Sequence, residues 1–250
     1  MKEISRSDPL FSLREFTAAR IAIGRVGNSI PVKQSLEFKL AHAHARDAVY
    51  SALDTEGLLT SLKAFNLPVL HLHSKAQSRH KYLKRPDLGR QLNEKSEEQL
   101  KDYRAGADIA IIIADGLSAT AVNENAFGLL EILIPMLSAA KLKLGPLCLV
   151  EQGRVAIGDD IGHGLNAKFS ILLIGERPGL SSADSMGAYL TYNPHPGLTD
   201  ESRNCISNIR PQGLINKPAA DKIFYLVNEA FRRKLSGVGL KDNWSLVIGH

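Results

Sequence analysis

The stretch Ala107-Asp108-Ile109-Ala110-Ile111-Ile112-Ile113-Ala114-Asp115-Gly116-Leu117-Ser118 decides the fold. A strand with one wet face alternates apolar and polar residues. An unbroken isoleucine-rich run ended by Asp-Gly instead marks a strand covered on both faces. Such a strand needs helices above and below it, and the downstream sequence supplies them in alternation. Thr120 to Leu142 predicts a long helix, with Pro135 placed to kink it. Pro146 to Val150 predicts a second strand, Val155 to Leu165 a short helix, and Lys168 to Gly175 a third strand. A short helix is expected to begin in Ala183 to Met186. Gly187 to Tyr192 then predicts a fourth strand, and Lys217 to Leu235 a closing amphipathic helix. Strand and helix in this order specify a parallel sheet with helices on its faces.

Upstream of residue 105 the pattern changes to helices and loops. Phe11 to Ile23 has helical apolar spacing at Leu13, Phe16, Ala19 and Ile23, and the glycines and Pro31 of GRVGNSIP then break the chain. Ser35 to Leu53 is the strongest helix. Its stripe of Leu36, Leu40 and Ala43 is widened by Phe38, Ala41, Ala45, Ala48 and Val49, a face broad enough for another chain. Thr55 to Phe65 and Ser96 to Arg104 predict shorter helices, and Val69 to Leu72 stays open between strand and loop. The expectation is an α/β protein. A smaller helical N-terminal lobe over residues 1–104, contacting a partner, precedes a Rossmann-like parallel sheet flanked by helices over residues 105–250.

The composition bounds the function classes. The chain has 250 residues, 44% hydrophobic and 23% charged, an ordinary globular balance that can bury a core without staples. No apolar run approaches the roughly 20 residues a bilayer needs. Lys2 and Arg6 are followed by no apolar stretch of a signal peptide. Only Cys148 and Cys205 are present, far apart, which points to a reducing cytoplasm. The net charge is +5. Its densest basic run, Lys75 to Arg90, is followed at once by Glu94, Glu97 and Glu98 and carries no interleaved stacking aromatics, so no nucleic-acid partner is expected.

Open parallel sheets collect ligands beyond the carboxyl ends of their strands. Three loops fall there: Asp115 to Ser118, Glu151 to Val155, and Gly175 to Gly179. Each combines glycine, which permits close backbone approach, with polar side chains. Asp115 and Ser118 are equally suited to capping the helix that follows. The segment Tyr192 to Pro211 is long, polar and punctuated, the pattern of an ordered functional loop. Ordinary catalytic constellations are missing. Cys205 as a nucleophile would need His195 as its base, and nothing places them together. His42 and His44 would point to different faces of a helix. His71 and His73 can share a strand face, but two histidines do not make a zinc site. GRVG at 24–27 is no dinucleotide fingerprint, and no Walker A loop occurs. Neither a catalytic residue nor a protein-ligated metal is expected.

Six segments, in order, carry a resemblance: GRVGNSIPVKQSLEFKLAHAHARDAV (24–49), YLKRPDLGRQL (82–92), IIIADGLSATAV (111–122), GRVAIGDDIG (153–162), LLIGERPGL (172–180) and RNCISNIRPQGL (203–214). Together they resemble the small-subunit family of ethanolamine ammonia-lyase, and the GERPGL and RNCISNIRP motifs are the most specific. The resemblance implies a lyase that converts ethanolamine to acetaldehyde and ammonia by radical chemistry, with adenosylcobalamin and its cobalt as cofactor. It also implies a large-subunit partner with a (β/α)8 barrel that holds the substrate, while the small subunit covers the other side of the corrinoid. A stand-alone small-molecule or nucleotide-binding module is the alternative.

By motif, the family's cobalamin contacts fall on Val155 in GRV, Glu176 in GERPGL and Cys205 in RNCISN. Val155 would pack an apolar part of the cofactor, or be core. Glu176 would accept hydrogen bonds from it, or pair with Arg177 or Arg154. Cys205 would be a small contact, or buried packing. The D-x-H-x-x-G pattern is absent around His163, which implies cobalamin that keeps its own dimethylbenzimidazole on the metal. Some family members carry a longer N-terminal extension tied to encapsulation. Here the motifs begin at Gly24 after a short lead, so the expected location is the cytoplasm, with a bacterial microcompartment left open.

Overall fold

The computed structural model describes residues 10–17 and 19–244. The signal-peptide reading falls mainly on residues 1–9, outside them. The strands are β1 (Val69–His73), β2 (Ala107–Ala114), β3 (Leu144–Glu151), β4 (Ala167–Gly175), β5 (Met186–Tyr192) and β6 (Arg203–Ile209). The helices are α1 (Val32–Tyr50), α2 (Thr55–Leu62), α3 (Arg79–Lys84), α4 (Glu94–Lys101), α5 (Ala119–Ala139), α6 (Ile157–Gly164) and α7 (Asn216–Arg233).

One sheet of order β1-β3-β2-β4-β5-β6 runs through the molecule. β2 lies in its middle, with Ile112 facing Cys148 of β3 on one side and Leu172 of β4 on the other. The predicted double burial holds. Ile109, Ile111 and Ile113 pack beneath α2, α5 and α7 through Leu58, Leu129, Leu130 and Ile223. Ala110, Ile112 and Ala114 meet Ile157 and Ile161 of α6 and Leu100 of α4 on the other face. α5 continues through Pro135 to Ala139.

Several expectations need correction. The sheet is mixed, not wholly parallel: β1, β3, β2 and β4 are parallel, but β5 is antiparallel to β4, and β6 to β5. A parallel crossover needs a dozen or more residues, usually with a helix. The link 176–185 holds no helix: Ala183 and Asp184 form a turn that leads into β5, which begins at Met186. The polar segment 192–211 contains β6 as well as loop. Of the helix expected over Phe11 to Ile23 there is one 3-10 turn, Phe11–Glu15, and Ala18 lies outside the described residues. The first hundred residues also supply a strand, since Val69–His73 pairs with β3.

β6 is held by charge as well as by apolar contact. Arg203, nearly inaccessible, donates to Asp159 of α6, to Asp200 at 2.9 Å and to the Leu198 carbonyl at 3.1 Å. Asp159 is equally buried, and that burial raises its pKa against the pull of Arg203. Replacing one partner strands the other charge, a loss of about 3–5 kcal/mol. Arg203→Met should therefore lower the equilibrium stability in urea by about that much, whereas replacing the exposed Arg85 by Met should change it by less than about 0.5 kcal/mol.

Candidate ligand site at the carboxyl ends of the strands

From β2 the chain departs through α5 toward one face of the sheet, and from β3 through α6 toward the other. A crevice opens where the two paths diverge. Its floor is main chain pressed on main chain. Leu117 N–H donates to the Gly175 carbonyl at 2.9 Å. A Cβ on Gly175 would stand 2.0 Å from the Ser118 carbonyl oxygen, and one on Gly116, where φ is +58°, would stand 2.2 Å from the Gly175 carbonyl oxygen. These glycines let neighbouring loops approach one another, rather than a ligand.

Asp115 and Ser118 divide the roles anticipated for them. Ser118 caps α5, accepting Ala121 N–H at 3.3 Å while its hydroxyl donates to the Ala183 carbonyl at 2.7 Å. Asp115 does not cap. Its two oxygens accept the N–H groups of Gln152 and Gly153, each at 3.0 Å, which ties the loop after β3 to the end of β2. Arg79 Nη1 stands 3.6 Å from Asp115 and donates to the Gly116 carbonyl at 2.7 Å. Arg79 Nε donates to Val49 of α1 at 2.7 Å. Much of the basic run Lys75 to Arg90 is thus engaged internally: Arg79 here, Arg85 with Asp87, and Lys75 with Gln91.

One wall is Tyr82, fully buried between two guanidinium groups. Arg79 lies 4.7 Å and Arg154 4.0 Å from its ring centre. Its hydroxyl donates to the Gly153 carbonyl at 3.1 Å, and Arg154 Nη2 donates to the Tyr82 carbonyl at 3.1 Å. Burial raises the Tyr82 pKa above its usual value, so the ring stays a neutral donor. The opening above is a cavity of about 430 Å³ whose lining includes Val155, Glu176, Arg154, Arg177, Tyr189 and Ser207.

Two of the three sequence-derived positions therefore share this cavity. Val155 is half-buried against the core around α6. Glu176 pairs with neither Arg177 nor Arg154. Its carboxylate accepts the hydroxyl of Ser207 at 2.5 Å, the N–H of Asn208 at 3.2 Å and the hydroxyl of Ser185. Gly187 leaves it room, since a Cβ there would meet Glu176 Oε1 at 3.0 Å. Cys205 is outside the lining but stands opposite Tyr189, a lining residue, in the β5–β6 register. The thiol is free and stands on an exposed residue, not in buried packing, although partial desolvation of the sulfur raises its pKa. His195, the base that a Cys205 nucleophile would have needed, is engaged elsewhere: its Nδ1 contacts the Asn193 carbonyl at 2.8 Å. Tyr82, Arg154, Tyr189 and Ser207 were not anticipated. Tyr82, Arg154 and Ser207 lie within quoted motifs, which was the available signal.

Among the described residues no group of three or more His, Cys, Asp or Glu side chains is arranged to hold a metal ion. The sequence model of the family described as ethanolamine ammonia-lyase light chain (EutC) matches residues 7–241. Among curated proteins, the chain is 51% identical to the ethanolamine ammonia-lyase small subunit of Pseudomonas fluorescens, over 94% of this chain and 86% of that protein. It is 53% identical to the same-named subunit of Xanthomonas campestris pv. campestris, over 92% and 86%. For that of Pseudomonas aeruginosa the identity is 50%, over 97% and 90%.

Asp115 makes the loop network sensitive to pH. Burial raises its pKa to about 6. The folded state then holds a proton between about pH 4 and 6 that the unfolded chain has released, so the contribution is largest below about pH 4 and is lost as pH rises through 6. Urea titrations of the protein and of Asp115→Asn should show wild type gaining on the variant between pH 7.5 and pH 5. An unchanged gap would mean an unshifted carboxylate.

Proposed function

The chain belongs to the ethanolamine ammonia-lyase light-chain family and has the role of a lyase's small subunit, and from that premise we propose that the crevice is its share of an adenosylcobalamin site. The observation that carries this reading is the meeting of Val155 and Glu176 in one cavity at the carboxyl ends of β2, β3 and β4. The cavity's chemistry suits a corrinoid edge. Val155, Leu117 and Ile174 offer apolar contact. A carboxylate can accept about four hydrogen bonds, and Glu176 has three donors, so it can take one more from an amide or hydroxyl. At about 430 Å³ the space suits a drug-sized fragment, hence one side of the cofactor.

When bound, adenosylcobalamin supplies the radical that starts the reaction. The residues of this chain bind and shield. Val155 packs, Glu176 accepts, and Cys205, exposed beside Tyr189 across the β5–β6 register, is a small contact at the edge. None is assigned a step on ethanolamine. The large subunit supplies the substrate site and closes the crevice. Within residues 1–104, α1 is the segment we assign to that partner: only Ala48 is buried, while Val32, Leu36, Phe38 and Leu40 stand exposed. No described helix is long and apolar enough to cross a membrane. Two free thiols support a cytoplasmic setting, in the open cytosol or inside a protein-shelled compartment.

Co-expression with a large subunit, addition of adenosylcobalamin and assay of acetaldehyde from ethanolamine test this. Activity should need both chains. Glu176→Ala should weaken cofactor binding about tenfold, the worth of one hydrogen bond to a charged group, with Glu176→Gln between. Full activity of the large subunit alone would refute the shared site.

A further inference from the structure

β1 is an edge of the sheet, and one of its sides is paired with β3 alone. The Pro68 carbonyl accepts Leu147 N–H at 2.8 Å, and Ser74 N–H donates to the Glu151 carbonyl at 3.1 Å. With Val69 opposite Leu147 and His73 opposite Glu151, alternate residues bond across the ladder. Leu70 and Leu72 turn their amide and carbonyl groups toward β3. Val69, His71 and His73 turn theirs outward.

The start of α4 meets only the last of these. His73 N–H donates to Ser96 Oγ at 2.8 Å, and the His73 carbonyl accepts Asn93 N–H at 3.0 Å. The outward amides and carbonyls of Val69 and His71 have no hydrogen-bond partner among the described residues. Beside them runs a groove of about 380 Å³, lined by all of Val69–His73 and by Lys95, Ser96 and Gln99 of α4. A second hollow, of about 640 Å³, continues it past His73 to Lys75 and Gln77. An open strand edge beside a groove is the geometry that takes up an added strand.

The charges of the groove select among strands. Lys75 and Lys95 are exposed, and neither is ion-paired among the described residues. Lys75 rests on the neutral Gln91 at 2.9 Å. Glu94 is the single acid in the two linings. Edge lysines discourage a second copy of the same edge, whose lysines would meet them, and favour a strand that carries carboxylates.

We propose that the β1 edge is a docking site for an extended acidic segment of a partner polypeptide. The segment adds a seventh strand, bonds to the free amides and carbonyls of Val69 and His71, and turns its carboxylates toward Lys95 and Lys75. This surface lies apart from the crevice, and its use does not depend on the cofactor reading.

The full chain should be titrated against the dye-labelled peptide Thr-Glu-Val-Glu-Val-Glu-Thr and its Lys-for-Glu counterpart, followed by fluorescence anisotropy. The acidic peptide should bind about fivefold or more tighter, with the preference shrinking as salt rises. His71→Pro removes one outward N–H that the sheet does not use, and an edge strand tolerates it. It should weaken the acidic peptide about tenfold. His71→Ala keeps the N–H and loses only the ring, which Glu151 holds at 2.7 Å, so it should bind within about twofold of wild type. Lys95→Glu should abolish the preference for the acidic peptide. Failure of the acidic peptide to bind would overturn the proposal, as would equal binding of both peptides. Unchanged binding by His71→Pro, or equal losses in the Pro and Ala variants, would rule out strand pairing. Self-association of the chain that the acidic peptide does not reverse and that His71→Pro abolishes would give the edge to a second copy and overturn the acidic partner.

Discussion

A strand with apolar side chains on both faces must be covered twice, and everything else in this chain is arranged around meeting that demand for β2. The residues Ile109, Ile111 and Ile113 need one layer and Ala110, Ile112 and Ala114 another. α5 and α6, the helices that follow β2 and β3, take opposite faces to provide them. Their divergence opens the crevice, so the crevice is a by-product of the same burial that stabilises the sheet. Position follows from packing, and only the chemistry of the crevice is left to individual side chains.

That dependence explains what was legible in the sequence. β2, β3, β4, α5 and α7 were visible because burial writes itself as apolar periodicity. β5 was visible as a strand but not in direction, since direction depends on the link before it, and that link was misread as the start of a helix. β6 was hidden for a different reason. Its burial alternates irregularly, and one of its buried side chains is Arg203, whose charge is answered by Asp159 far away in sequence. An arginine satisfied at long range looks like a surface arginine until the chain is folded.

The site was legible in part. Its location came from the glycine-bearing loops, though the glycines act by bringing Gly116, Gly175 and Ser118 together and not by admitting a ligand. Val155 and Glu176 came from motif resemblance, and their meeting in one cavity is a property of the strand order. The Tyr82 wall could not be read from periodicity. It is made by residues from α3 and from the loop after β3, which lie far apart in the sequence and meet through a ring–guanidinium contact.

The main-chain floor of the crevice has a further consequence, for how such a site can diverge. A side chain on Gly116 or Gly175 would run into main chain of the neighbouring loop, so those two positions have almost no freedom to accept another residue. The groups that stand on the floor, Val155, Arg154 and Arg177, are under no such restriction from it. A lineage could exchange the ligand preferences of this crevice one side chain at a time while its architecture stayed frozen. Descendants with altered specificity would then be recognised by an unchanged glycine skeleton beneath a changed set of side chains.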